Sequence, residues 1–249
     1  MGAENASLHV VPILLNILGC VLALCAWVEV IRFLNERRLA CCRPTWDALF
    51  FVVFGRLLVR VLMRARYEGL EHIPQQRQGP LIVISNHTSG LDPMLIQVVC
   101  PFEIRWMMLR EMNVRTVRFF TWYLRTILVE TGGKDLPATR EALRHIGAGG
   151  VLGIFPEGAI ERPADKLIPF QQGIGVLAKK TGHTIVPVWI TGTPEGKNTL
   201  QWLTRPGNAR VKFFPPLRVD QSRSIEEITA DLQDWYLAAT GWPLGERPK

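Results

Sequence analysis

In the run Asn86–His87–Thr88–Ser89–Gly90–Leu91–Asp92–Pro93 a histidine is followed five residues later by an aspartate. A loop of that length can fold the Asp92 carboxylate back onto one imidazole nitrogen of His87. The opposite nitrogen is then unprotonated and faces outward, as a general base requires. Gly90 permits the turn, and Pro93 suits the first position of a helix, where its missing N–H costs nothing. No Ser or Cys stands in fixed relation to the pair. Direct attack by a deprotonated substrate hydroxyl therefore fits better than a covalent enzyme intermediate. The plainer reading of the same residues is a helix cap (Asp92) and a satisfied loop histidine (His87).

A second cluster follows at Ile154–Phe155–Pro156–Glu157–Gly158, with Arg162 and Lys166 beyond it. A carboxylate that holds hydroxyls, beside exposed backbone N–H groups and a cation that holds phosphate, would cradle a polyol phosphate. Taken alone, the Glu157–Gly158 pair also reads as a surface turn.

Both clusters stand at the ends of apolar runs. Pro80 leads into the continuous apolar run Leu81–Ile82–Val83–Ile84–Ser85, the pattern of a strand buried on both faces. Further strands are predicted at Ile104–Leu109, Thr126–Glu130, Val151–Phe155, Thr184–Ile190 and Arg210–Phe214. Helices are predicted from Pro93 to Val99 and at Val114–Leu124, Leu136–Ile146, Gln172–Lys180 and Ile225–Ala239. Asp135 is a candidate cap for the helix at 136, and Ser222 or Ser224 for the last, whose first turn carries Glu226 and Glu227. Gly147, Gly149 and Gly150 read as a helix stop. Buried strands punctuated by helices predict an α/β fold with a mixed, mostly parallel sheet flanked by helices. In such sheets ligands bind at the carboxyl ends of strands, where both clusters lie.

Hydrophobic residues make up 48% of the 249 and charged residues 20%, which excludes disordered and low-complexity classes. Twenty-nine basic against 22 acidic residues leave a net charge of +7, suited to anionic partners of several kinds. Neither GxGxxG nor GxxxxGK[ST] occurs, and aromatics do not interleave with a basic groove, so nucleotide-fold and nucleic-acid readings fall away. The five cysteines show no metal-ligand spacing and read as small buried hydrophobes.

The first part of the chain has a different texture. Val10–Val28 carries 19 residues without a charge, ~28 Å as a helix and close to a bilayer core. With Glu4 the only early charge and no small-x-small site, a cleaved signal peptide does not fit. Arg32, Arg37, Arg38 and Arg43 come next. Then in Trp46–Met63 the residues Phe50, Phe51, Val53, Phe54, Leu57, Leu58, Val61 and Leu62 are apolar, while Arg56, Arg60 and Arg64 recur every four residues and line one helical face. That is the pattern of an interfacial helix, arginines toward headgroups and aromatics toward acyl chains; a helix packed on the domain with a solvated stripe is the alternative. The chain divides into a two-helix membrane-associated segment at 1–64 and an α/β domain at 65–249. The segment 10–28 either crosses or re-enters the bilayer. If it crosses, the arginines put the residues after Arg32 on the cytoplasmic side of the inner or cytoplasmic membrane.

NHTSGLDP, FPEGAIERP, PFQQGIGVLA and the strand IVPVWITG stand in the order and spacing of a known family. Over about residues 66–215 the chain resembles the glycerolipid acyltransferases typified by 1-acyl-sn-glycerol-3-phosphate acyltransferase. The resemblance implies that His87 is the base that deprotonates an acceptor hydroxyl as it attacks an acyl thioester. It implies that Asp92 orients the imidazole, that Glu157 and Gly158 bind the acceptor, and that Pro187 is structural. It implies acyl-CoA or acyl carrier protein as donor, a lysophospholipid acceptor within membrane phospholipid, and no separate cofactor. The implied reaction acylates 1-acyl-sn-glycerol-3-phosphate to phosphatidic acid. The chain departs from the family where phosphate is held. Ala159–Ile160–Glu161 replaces Thr-Arg-Ser, and Glu130–Thr131 replaces Asp-Arg. Lys134 and Arg162 are the nearby cations that could compensate. Other lysophospholipid, amino- or glycolipid acceptors stay open. So does a non-catalytic lipid-binding protein, although its mark would be a broken His/Asp pair and both residues are present.

Overall fold

The computed structural model describes residues 54–74, 80–115, 117–130, 135–160, 165–182, 184–196 and 199–246. The apolar segment 10–28, the arginines at 32–43, and Lys134 and Arg162 lie outside the described residues. Among the described residues no helix is long and apolar enough to cross a membrane.

Seven strands form one sheet: β1 (Arg66–Glu68), β2 (Leu81–Ser85), β3 (Ile104–Leu109), β4 (Ile127–Val129), β5 (Val151–Ile154), β6 (Thr184–Thr191) and β7 (Arg210–Phe213). Their order is β1-β7-β6-β2-β5-β3-β4. Every neighbouring pair is parallel except β6 and β7, so β1 and β7 run against the other five. The mixed, mostly parallel sheet is the one expected from the sequence. Strands β2 and β5 are buried at every residue, as continuous apolar runs covered on both faces must be.

Six α-helices accompany the sheet among the described residues: α1 (Asp92–Gln97), α2 (Arg118–Tyr123), α3 (Leu136–Gly147), α4 (Gly173–Thr181), α5 (Thr199–Thr204) and α6 (Ile225–Thr240). Ile82, Ile84, Leu152, Ile154, Ile185 and Trp189 turn to one face. There they pack with Ala142 and Ile146 of α3, Ile174 and Leu177 of α4, and Ile228, Leu232 and Tyr236 of α6. The Asp135 side chain accepts the Ala138 N–H and starts α3. Of the two candidate caps for α6, Ser224 is the one used, in a reciprocal capping box with Glu227. Ser222 bonds to Asp220 instead.

Three elements differ from expectation. The sequence does not predict β1; at three residues, two of them exposed, it has no periodic signal. Nor does it predict α5. The helix expected over Val114–Leu124 is the shorter α2, preceded by a 3₁₀ turn at Arg110–Met112.

Residues 54–62 are helical and close in a π-helical stretch, Leu58–Leu62. Three stripes run along this helix. Gly55, Val59 and Met63 are buried, Arg56 and Arg60 are exposed, and Phe54, Leu57 and Val61 are exposed and apolar. Arg64 is also exposed but lies past the helix end with φ of 46°, so it does not continue the helical face expected for the three arginines. Gly55 lies against Met94 and Val98, at and just past α1. The backbone of Leu62 and Met63 accepts the N–H groups of Gly207 and Ala209. The helix therefore packs on the domain through one stripe and still presents apolar side chains outward.

Candidate active site

β2 ends at Ser85, and the next residue closes the strand. Asn86 is fully buried, and its side-chain amide exchanges two hydrogen bonds of 2.8 Å with the backbone of Ile190 on β6. A carboxamide here extends the ladder by one rung and fixes where the loop departs. His87 then stands at the carboxyl edge of the sheet.

The loop folds as its length allows. His87 Nδ1 lies 2.9 Å from Asp92 Oδ2. The same carboxylate oxygen accepts the N–H groups of Thr88 at 2.6 Å and Ser89 at 2.8 Å. The Thr88 hydroxyl donates to Asp92 Oδ1 at 3.2 Å and accepts from the Thr193 hydroxyl at 2.9 Å. Asp92 is wholly buried, whereas the His87 side chain is 19% exposed. A carboxylate among donors favours Nδ1 as the protonated nitrogen and leaves Nε2 as the acceptor. Asp92 thus holds the loop backbone and the imidazole together, but it does not cap the helix as the plainer reading had it. It is the first residue of α1, and its carboxylate bonds the N–H groups of Thr88 and Ser89, which precede the helix.

Gly90 serves differently from expectation. Its backbone is not in the left-handed region; instead a Cβ there would meet the Trp202 ring at 2.5 Å. The indole of α5 lies directly against the loop, and only a missing side chain admits it.

Glu157 is also wholly buried. Its Oε1 accepts the backbone N–H of His87 and its Oε2 that of Ile168, each at 2.9 Å. The carboxylate therefore clamps three segments together beneath the site. Gly158 follows in a turn with φ of 71°, beside the Gln171 side chain, and Gln171 N–H donates to the Pro156 carbonyl at 2.7 Å. Ile160 is half-buried.

An aromatic stack backs the imidazole. The Phe155 ring lies parallel to His87, centroids 4.1 Å apart, and Trp106 of β3 stacks on Phe155 at 4.9 Å. Phe155, Trp106, Thr88, Thr193 and Asn86 have no place in the sequence-derived site. Of these, Phe155, Thr88 and Asn86 sit inside the motifs themselves; Trp106 and Thr193 carry no local signal. Among the described residues no group of three His, Cys, Asp or Glu could hold a metal ion.

The protein is similar to several known enzymes. The "1-acyl-sn-glycerol-3-phosphate acyltransferase" of Limnanthes douglasii is 26% identical over 212 residues, covering 79% of this chain and 72% of that one. The enzyme of the same name from Helicobacter pylori is 29% identical over 179 residues, covering 68% and 73%. In fold the chain resembles the crystal structure of the 1-acyl-sn-glycerophosphate (LPA) acyltransferase PlsC from Thermotoga maritima. The TM-score is 0.63 at 23% identity, over 86% of each chain. Residues 64–191, half of the sequence and the part that builds the His87–Asp92 loop and the Glu157 clamp, match the profile of the Acyltransferase family, and the chain belongs to that family.

Proposed function

We propose that this protein transfers a fatty acyl group from acyl-CoA or acyl carrier protein to the free hydroxyl of 1-acyl-sn-glycerol-3-phosphate, forming phosphatidic acid. The observation that carries the reading is the His87–Asp92 pair at 2.9 Å, its carboxylate buried and its imidazole partly exposed at the carboxyl edge of the sheet. His87 Nε2 takes the acceptor's hydroxyl proton as that oxygen attacks the thioester carbonyl. Asp92 stabilises the imidazolium that results. Collapse of the tetrahedral intermediate breaks the C–S bond, and the proton on Nε2 passes to the leaving thiolate. The base is then regenerated, with an ester and a free thiol as products.

Glu157 takes part by holding the His87 backbone, a positioning role that its burial supports over direct contact with the acceptor. Arg162 and Lys134 are the cations assigned to the acceptor's phosphate, in place of the family arginines that Thr131 and Ile160 replace. The residues 1–64 are assigned to the membrane. The outward stripe of Phe54, Leu57 and Val61 beside Arg56 and Arg60 supports this, since arginines can pair with headgroups while the apolar side chains enter the interface.

Steady-state kinetics with lysophosphatidic acid and with its dephosphorylated monoacylglycerol test the acceptor. A preference for the phosphorylated lipid is expected. Arg162→Ala should lower kcat/KM for that lipid by ~30-fold, scaled from ~2 kcal/mol for a charged hydrogen bond, and leave the donor's KM unchanged. A wild type that prefers monoacylglycerol would overturn the assignment. Deleting 1–64 should release the chain from membranes; retention would place the anchor in the α/β domain.

A further inference from the structure

Nine large hydrophobic side chains are exposed among the described residues, and six of them fall in two short segments. Phe54, Leu57 and Val61 form the first. Met112 (46% exposed), Val114 (51%) and Trp122 (70%) form the second. Scattered exposed apolar residues need no explanation, but a cluster does.

The topology puts both clusters at one edge of the sheet. β3 runs parallel to β5, and β5 to β2, so the chain leaving β3 at Leu109 emerges at the edge where His87 stands. On the other side, Thr191 of β6 pairs with Arg210 of β7, which pairs with Arg66 of β1. The helix that leads into β1 therefore also reaches this edge. The site lies between the two segments in strand order.

The second segment has a marked charge pattern. The Thr121 hydroxyl donates to Asn113 Oδ1 at 2.8 Å and ties α2 to the turn before it. Residues 112–129 contain Arg115, Arg118 and Arg125 and no acidic residue, and all three arginines are exposed. An exposed indole, exposed Met112 and Val114 and three exposed arginines on one short segment, with acids only at its borders (Glu111 and Glu130), make a composition that complements an anionic bilayer interface. Tryptophan settles at headgroup depth there, and arginine stems lie along acyl chains with their charges in the headgroups.

We propose that Met112, Val114 and Trp122, with Arg115 and Arg118, form a second lipid-contacting patch. With the Phe54–Val61 stripe it seats the carboxyl edge of the sheet on an anionic bilayer. The inference rests on the membrane reading above and extends it from an anchor to a two-point seat, which would turn the His87 edge toward lipid.

Partitioning of the full chain and its variants onto vesicles tests this. The vesicles contain phosphatidylglycerol with phosphatidylcholine, or phosphatidylcholine alone, and circular dichroism checks each fold. The double variant Val114→Asn/Trp122→Gln should partition about tenfold more weakly on both vesicle types. Arg115→Gln/Arg118→Gln should weaken binding about fivefold per arginine on the anionic vesicles alone. If the apolar double variant does not fold, the exposed arginine pair carries the test. If both leave partitioning unchanged while Leu57→Asn/Val61→Asn weakens it, the proposal is overturned, the patch belongs to a protein partner, and the front remains the anchor. If the wild type does not partition at all, the membrane reading itself fails and takes the proposal with it.

Discussion

The carboxylate of Glu157 accepts the backbone N–H of His87 at 2.9 Å, across 70 residues of sequence, while its second oxygen holds Ile168. Glu157→Gln leaves one good acceptor and turns an NH2 group toward a backbone N–H. The loop carrying His87 should loosen. A fall in kcat of ~30-fold, from ~2 kcal/mol of lost charge-assisted bonding, is expected with the acceptor's KM within about twofold. Initial-rate kinetics over both substrates reads the split. A rise in acceptor KM at constant kcat would make Glu157 a substrate ligand instead.

His87→Ala should lower the acyl-transfer rate by ~10²–10⁴ with the fold retained. Asp92→Asn should act in the same direction and also destabilise the chain by ~1–3 kcal/mol, because the buried carboxylate holds the Thr88 and Ser89 N–H groups as well as the imidazole. Near-normal turnover in a folded His87→Ala protein would sink the assignment.

The stack behind His87 gives a separate handle. Phe155→Leu keeps an apolar filler but removes the ring under the imidazole, and should cost ~0.5–1.5 kcal/mol, or about two- to tenfold in kcat/KM. Trp106 pairs in register with Gly153, where a Cβ would come within 2.5 Å of the indole. Gly153→Ala should therefore displace Trp106 and destabilise by ~1–3 kcal/mol, read as a lowered unfolding midpoint in urea.

Tyr236 of α6 is fully buried, and its hydroxyl lies between β2 and β6. It accepts from Val188 N–H at 3.2 Å and has the Ile84 carbonyl at 2.9 Å as acceptor for its proton. Burial pushes its hydroxyl pKa well above the ordinary value, so it stays a donor at any working pH. Tyr236→Phe removes the partner of two buried backbone groups, the Val188 N–H on β6 and the Ile84 carbonyl near the end of β2. A loss of ~1–3 kcal/mol in equilibrium unfolding is expected.

Acid should weaken the fold from three surface turns. The Ser224 backbone N–H holds Glu227 below the ordinary carboxyl value, the Ala138 and Glu130 N–H groups do the same for Asp135, and the Ser222 N–H for Asp220. A lowered folded pKa means that the folded chain binds fewer protons than the unfolded one. The stabilisation is therefore present above the unfolded value near pH 4 and is lost as pH falls through the folded value. Glu227→Gln removes one of these titrations. Its melting temperature should fall less steeply than wild type between about pH 4 and 2, and identical slopes would remove Glu227 from the acid response.

The local parts of this protein could be read from its residues. Continuous apolar runs of four to eight residues bounded by turn signals read as strands covered on both faces, by their length and β-branched content. Asp135 and the Ser224–Glu227 box mark helix starts within four residues. The His87–Asp92 pair was legible for the same reason, since a five-residue loop brings its own ends together whatever surrounds it. Contacts between residues far apart in sequence were not legible. Hydrophobic period decides which side of a strand is buried, but not which strand lies beside it. Only the order β2-β5-β3 puts Phe155 under His87 and Trp106 under Phe155, and only the departure of the chain from β5 brings Glu157 to the His87 backbone. Trp202, more than 100 residues from Gly90, explains that glycine by close approach where the local sequence suggested a turn. The sequence thus determines the His87–Asp92 pair, because its geometry is short-range. The tertiary structure decides what holds that pair still, because those contacts exist only once the sheet has chosen its neighbours.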